Sequence, residues 1–133
     1  LVKELGGPDT PAIGFAIGFD RLVEIMEQLA PASAAPGPDL FIVALGDPAM
    51  EMAYHLCCDL NQAGIRTDTD FRGKSLKALM KRADKLNARY VLIAGQAELA
   101  ENALILRNMQ TKEQVSIPMD RLKSEIIALM KNE

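Results

Sequence analysis

The chain has 133 residues, 49% hydrophobic and 25% charged, with a net charge of −3. That is the composition of an ordinary folded domain with its own core, and it argues against disorder. The longest apolar run, Leu40 to Leu45, falls far short of the roughly 20 residues that cross a bilayer, so no membrane partner is expected.

Beginning at Leu1 without an initiator methionine or a signal peptide, the sequence reads as a piece of a longer protein. Residues 12–19 alternate small and large side chains, as a strand would, and lead into an apolar helical stretch that ends near residue 30. Pro31-Ala-Ser-Ala-Ala-Pro-Gly-Pro38 can neither continue a helix nor join a sheet, so residues 31–38 are expected to be a linker. It separates a short N-terminal piece, residues 1–30, from a body spanning 39–133.

The body alternates. Leu40 to Leu45 is a strand buried on both faces. Asp47 and Pro48 are a capping acid and a first-turn proline, and the helix they open runs with Met52, Leu56 and Leu60 on one face until Gly64. Cys57 and Cys58, the only cysteines, are adjacent and badly placed to bridge each other. Reduced thiols in a cytoplasmic protein are expected, and with His55 as the single histidine a metal site lacks ligands. Arg66 to Asp70 is a short second strand. Leu76, Leu79, Met80, Ala83 and Leu86 recur with helical spacing, and Lys74, Lys77, Lys81 and Lys85 occupy the outer side. Tyr90 to Ala94 is a third strand. Ala103–Arg107 and Gln114–Ile117 form a hairpin, and Pro118 opens a last helix. Right-handed crossovers make the first three strands parallel. The expected fold is therefore a three-layer α/β domain with a five-stranded mixed sheet, in the order βαβαβββα, preceded by a strand–helix remnant.

Charge is unevenly distributed. Residues 66–90 hold eight basic and three acidic side chains, +5 in all, while the rest of the chain carries −8. A positive face on an acidic body attracts phosphates locally, although a row of lysines on a solvated helix gives the same count. The turn Gly46-Asp47-Pro48 lacks the glycines of a dinucleotide site, and no Gly-Lys-Ser/Thr loop is expected. No nucleophile–base pair stands out, so a binding module is the better reading.

Two stretches carry a family resemblance. Thr10-Pro-Ala-Ile-Gly-Phe-Ala-Ile-Gly-Phe-Asp-Arg-Leu22 resembles motif 3 of class II aminoacyl-tRNA synthetases, and with Leu5-Gly-Gly-Pro8 it is similar to the histidyl enzymes. Pro38 to Val43, Gly64-Ile-Arg66, Ser75 to Tyr90 and Gly95-Gln-Ala-Glu-Leu99 resemble that family's C-terminal anticodon-binding domain, with Gln96 standing where the family tends to have Glu. The resemblance implies that small side chains at Gly14, Ala16 and Gly18 let adenine approach the backbone, and that Arg21, the one catalytic residue of the set, clamps ATP phosphates. It implies anticodon contacts at Arg72, Lys74, Gln96, Glu98 and Arg107, with Lys77, Lys81 and Lys85 on phosphates. Glu98 reads equally well as an acid that orders its own loop. The partners implied are the histidine tRNA through its anticodon stem-loop, the rest of the synthetase and, in the intact parent, a second copy; DNA is not among them. ATP with Mg belongs to the parent, a cytoplasmic ligase, and the piece alone is expected to be non-catalytic and to hold no cofactor. Two other readings stay open: a synthetase-like regulatory protein that reuses the domain, and a flavodoxin-like small-ligand module with a deep pocket at the strand ends.

Overall fold

The computed structural model describes residues 1–11, 13–29 and 36–131. The chain falls into two compact units, Leu1–Ala35 and Pro36–Glu133. In the first, a turn closes with the Leu5 N–H donating to the Leu1 carbonyl at 3.0 Å and the Gly7 N–H to that of Val2 at 2.9 Å. Helix α1, Phe19–Leu29, is amphipathic yet buries none of its side chains. The strand expected at 12–19 is not formed by residues 13–18, and Ala12 lies outside the described residues. A lone strand leaves its N–H and C=O groups unpaired, and every strand of the sheet comes from the second unit.

The second unit has the expected three layers. Its elements are β1 Leu40–Ala44, α2 Asp47–Gln62, β2 Thr67–Thr69, α3 Leu76–Lys85, β3 Tyr90–Ala94, α4 Gln96–Ala100, β4 Ala103–Asn108, β5 Gln114–Pro118 and α5 Leu122–Lys131. The strands form one sheet in the order β2-β1-β3-β4-β5. β2 and β3 run parallel to β1, and β4 and β5 add an antiparallel margin. β1 is buried throughout because helices cover both its faces. Leu40 and Ile42 pack with Leu56 and Leu60 of α2 and Ile126 of α5. Phe41 and Val43 turn the other way, onto Leu79 and Ala83 of α3. That alternation is the period of a strand seen from both sides.

Three local expectations are corrected. Gly46, at φ +90°, takes the cap position of α2, so Asp47 sits inside the first turn, where its charge still suits the helix N-terminus. Pro118 ends β5 and α5 begins only at Leu122; on an edge strand the missing N–H of proline costs little. The single-turn helix α4 was not anticipated.

Of the proline-rich segment, residues 31–35 lie outside the described residues, and Pro36 to Pro38 pack with the second unit. The Arg89 N–H donates to the Pro38 carbonyl at 3.1 Å. A Cβ at Gly37 would collide with the carbonyl oxygens of Leu86 and Asn87, so the chain passes the end of α3 at a distance only glycine permits.

Candidate nucleic-acid interface

Two carboxylates claim half the cations of the basic segment. Asp39, just ahead of β1, accepts from Arg66 Nε at 3.0 Å, Arg66 Nη2 at 2.6 Å and the Arg66 N–H at 3.1 Å. Arg89 Nη1 lies 3.7 Å away. These residues lead into β1, β2 and β3, so the clasp marks the edge of the sheet where the parallel strands begin. Asp70 does the same at the opposite edge, just after β2. It accepts from Arg72 Nε at 2.8 Å, Arg72 Nη2 at 2.6 Å and the Arg72 N–H at 3.1 Å, with Arg82 Nε of α3 at 3.6 Å. Hydrogen bonds from Arg66 hold the Asp39 carboxyl below its usual range, and those from Arg72 hold Asp70 far below it. Both are anions at neutral pH. Arg72, expected as an RNA contact, thus has part of its five-donor fork engaged within the chain.

Lys74, Lys77, Lys81 and Lys85 remain. All four are exposed, and among the described residues none joins an ion pair. Lys77, Lys81 and Lys85 are four residues apart and share a face of α3, spanning about 12 Å along the axis. Ser75 caps α3 without a side-chain hydrogen bond, and the first turn has no acid, so the positive end of the helix has no anion of its own nearby. Gly73-Lys74-Ser75 ahead of α3 corrects the expectation that no Gly-Lys-Ser/Thr sequence is present. It has the last three residues of a phosphate-binding loop, but Asp68 stands where the first glycine belongs.

The expected contact residues do not all meet. Arg72, Lys74, Gln96 and Glu98 follow the C-terminal ends of β2 and β3, an edge defined by the pairing of Ile42 with Thr69 and Ala44 with Ala94. Arg107 pairs with Val91 near the start of β3 and so lies toward the opposite edge. Its buried Nε has no hydrogen-bond partner among the described residues. Glu98 Oε2 accepts from the Gly95 N–H at 3.0 Å, which gives this acid a capping role at the start of α4. Gln96 is exposed beside it. Between the loops after β1 and β3, at the point where strand order reverses, a cavity of about 490 Å³ is lined by Leu45, Gly46, Pro48, Gln96, Leu99 and Ala100. A small-ligand module would carry a pocket here, but this lining offers one polar side chain, Gln96, and no charged one.

In the first unit, Gly14, Ala16, Gly18 and Arg21 are exposed. A Cβ at Gly14 would meet nothing within 4 Å, and one at Gly18 only Arg21 Cβ at 3.8 Å, so the backbone there is open to a flat ligand. No cluster of His, Cys, Asp and Glu among the described residues could hold a metal ion. Cys57 Sγ donates to the Thr67 carbonyl at 3.2 Å, and burial pushes its thiol up; it is a structural thiol. Sequence reasoning passed over Phe71 and Tyr54, whose rings meet in the open at the β2 edge. The visible signal was an aromatic residue directly ahead of Arg72-Gly73-Lys74.

A family described as "Anticodon binding domain" matches residues 39–129. The chain belongs to this family. Histidine–tRNA ligase of Desulforapulum autotrophicum is 56% identical over 133 residues, 100% of this chain and 31% of the relative. Histidine–tRNA ligase of Geobacter sulfurreducens is 44% identical over 119 residues, 90% of this chain and 28% of the relative. The chain therefore spans under a third of the curated relatives it matches. Among solved structures, apo histidyl-tRNA synthetase of S. aureus is 34% identical with a TM-score of 0.66, covering 95% of this chain and 33% of that one. The RNA-binding domain of threonyl-tRNA synthetase from Cryptosporidium parvum, 18% identical with a TM-score of 0.60 over 70% of this chain and 23% of that one, shares the fold.

Proposed function

We propose that the chain reads the anticodon for a histidine–tRNA ligase. Residues 1–30 are then the closing segment of a class II catalytic domain, 31–38 a linker and 39–133 the anticodon-binding domain. The observation that carries this reading is the 56% identity to a histidine–tRNA ligase over all 133 residues, which takes in both the motif 3-like stretch and the domain. Lys77, Lys81 and Lys85 hold phosphates along α3 and position the RNA without reading it. Lys74, Gln96 and the free donors of Arg72 meet the loop at one edge of the sheet, and Arg107 meets it toward the other. β3 covers about 13 Å between those ends, too far for one base to touch both Gln96 and Arg107, but short for a stem-loop lying along α3. Glu98 acts by ordering the turn that presents Gln96.

In the intact ligase, ATP with Mg is the energy source for activating histidine. Gly14, Ala16 and Gly18 leave room for the adenine, and Arg21 clamps phosphates. That enzyme works as a cytoplasmic homodimer, with neither membrane nor DNA as partner. The chain alone does not aminoacylate. Titrating it with the histidine tRNA anticodon stem-loop, and with a copy carrying an altered anticodon, at two salt concentrations tests the reading. Binding should weaken steeply with salt and favour the cognate loop. An affinity indifferent to both salt and anticodon would reject it, as would histidine-dependent ATP–pyrophosphate exchange above background by the chain alone.

A further inference from the structure

Phe71 lies in the turn between β2 and α3 and is 52% exposed; Tyr54, on the outer side of α2, is 55% exposed. Their ring centroids are 6.2 Å apart at 61°, an edge-to-face pair, and Tyr54 meets His55 in the same way at 5.5 Å and 73°. The other two aromatic side chains of the second unit's Phe and Tyr set, Phe41 and Tyr90, are buried. Hydrophobic burial therefore accounts for Phe41 and Tyr90 and leaves Phe71 unexplained.

The turn that carries Phe71 is held on both sides. The buried Asp70 carboxylate fixes the backbone and guanidinium of Arg72 and reaches Arg82 of α3. Thr69 Oγ1 donates to the Ile42 carbonyl at 2.9 Å, and Gly73 turns the chain at φ +61°. The ring is thus presented by an ordered turn, which lowers the entropic cost of using it for binding. Directly after it come Arg72, Lys74 and the acid-free start of α3. An aromatic face offers stacking to any base, and neighbouring cations hold the phosphates on either side.

We propose that Phe71, backed by Tyr54, is a stacking platform for one unpaired base of the bound RNA loop. This rests on the RNA-binding reading above and adds to it a site that makes no hydrogen bond and reads no base edge. The cations on its flank favour a nucleic acid over an apolar protein surface as the occupant.

The test uses the full chain as wild type, Phe71→Ala, Phe71→Leu and Phe71→Trp, checked for unchanged thermal unfolding. Each is titrated with the histidine anticodon stem-loop and with copies carrying an abasic residue at each loop position in turn. Phe71→Ala should weaken binding about five- to a hundredfold. Phe71→Leu, apolar but not planar, should lose nearly as much. Phe71→Trp should bind like wild type, and its tryptophan, the only one in the chain, should change its fluorescence on binding. One abasic position should weaken the wild type yet have no further effect on Phe71→Ala, and the salt dependence should be the same in both. Affinities of Phe71→Ala and Phe71→Leu within twofold of a salt-sensitive wild type overturn the platform and leave the RNA reading standing. A wild type that binds no stem-loop overturns both. Unchanged RNA affinity with altered sedimentation of Phe71→Ala overturns the platform in favour of a protein contact.

Discussion

Helices α1 and α3 are near twins in sequence character, 11 and 10 residues long and strongly amphipathic, yet they finish in opposite states. In α3, Leu79 and Ala83 are buried against Phe41, Val43 and Val91. In α1, Leu22, Val23, Ile25 and Met26 all remain exposed. The same contrast separates residues 13–19 from β1: Ile13 is 100% exposed and Phe15 89%, whereas Leu40 and Phe41 are at 0%. An apolar stripe is a demand for a surface and does not create one. The second unit contains the sheet that meets the demand. The first displays a pattern that its own described residues leave unmet.

The sharpest way to break this contrast is to cut into both stripes. Leu79→Ala should cost about 2–5 kcal/mol by urea unfolding, because a filled site is emptied, whereas Val23→Ala should stay within about 0.5 kcal/mol. Equal losses would mean that α1 is part of the folded core.

A smaller effect is expected at Asp70. Its depressed carboxyl stabilises the fold fully above the unfolded carboxylate value of about 4, and that contribution fades as pH falls below it toward the folded value. Asp70→Asn should therefore melt below wild type at pH 7, and the gap should close below about pH 4. A gap independent of pH would mean that the paired arginines contribute nothing through charge. Replacing Lys77, Lys81 and Lys85 together with Ala should leave melting unchanged. RNA titrations should show weaker binding to every stem-loop and a salt slope shallower by about two to three. Arg107→Ala should instead weaken the cognate anticodon more than an altered one. The smallest effect belongs to deletion of residues 1–30, which should move the melting temperature of the second unit by no more than about 2 °C and reduce any self-association that the exposed apolar residues of the first unit cause. Unfolding on truncation would merge the two units.

Much of the fold is legible from single residues outward. β1 and β3 announce themselves as unbroken apolar runs, and α3 as an i, i+3, i+4 stripe, because each pattern reports a surface the element must cover. α4 is one turn long, too short for a period to appear, and its signal was Glu98 three residues after Gly95. Pro118 misled because proline suits both a helix start and an edge strand, and only pairing with Ala103 decides between them. At the candidate interface the lysine row followed from spacing alone. The engagement of Arg72 by Asp70 did not, since it depends on the turn after β2 folding the Arg72 N–H back onto the Asp70 carboxylate. The separation of Arg107 from Gln96 depends on hairpin register, which turn length and burial set together.

Gly37 and Asp39 together act as an indexing pin for β1, the middle one of the three parallel strands. One residue must pass the end of α3 without a side chain, and two positions later a carboxylate must reach both Arg66 and Arg89. Sliding β1 by one residue would bring Pro36 or Pro38 into the narrow passage and send every apolar side chain of the strand to the wrong face. With β1 indexed, β2 and β3 can align on it from either side, so the edge that holds Arg72, Lys74 and Gln96 is built to a register set at the opposite end of the sheet.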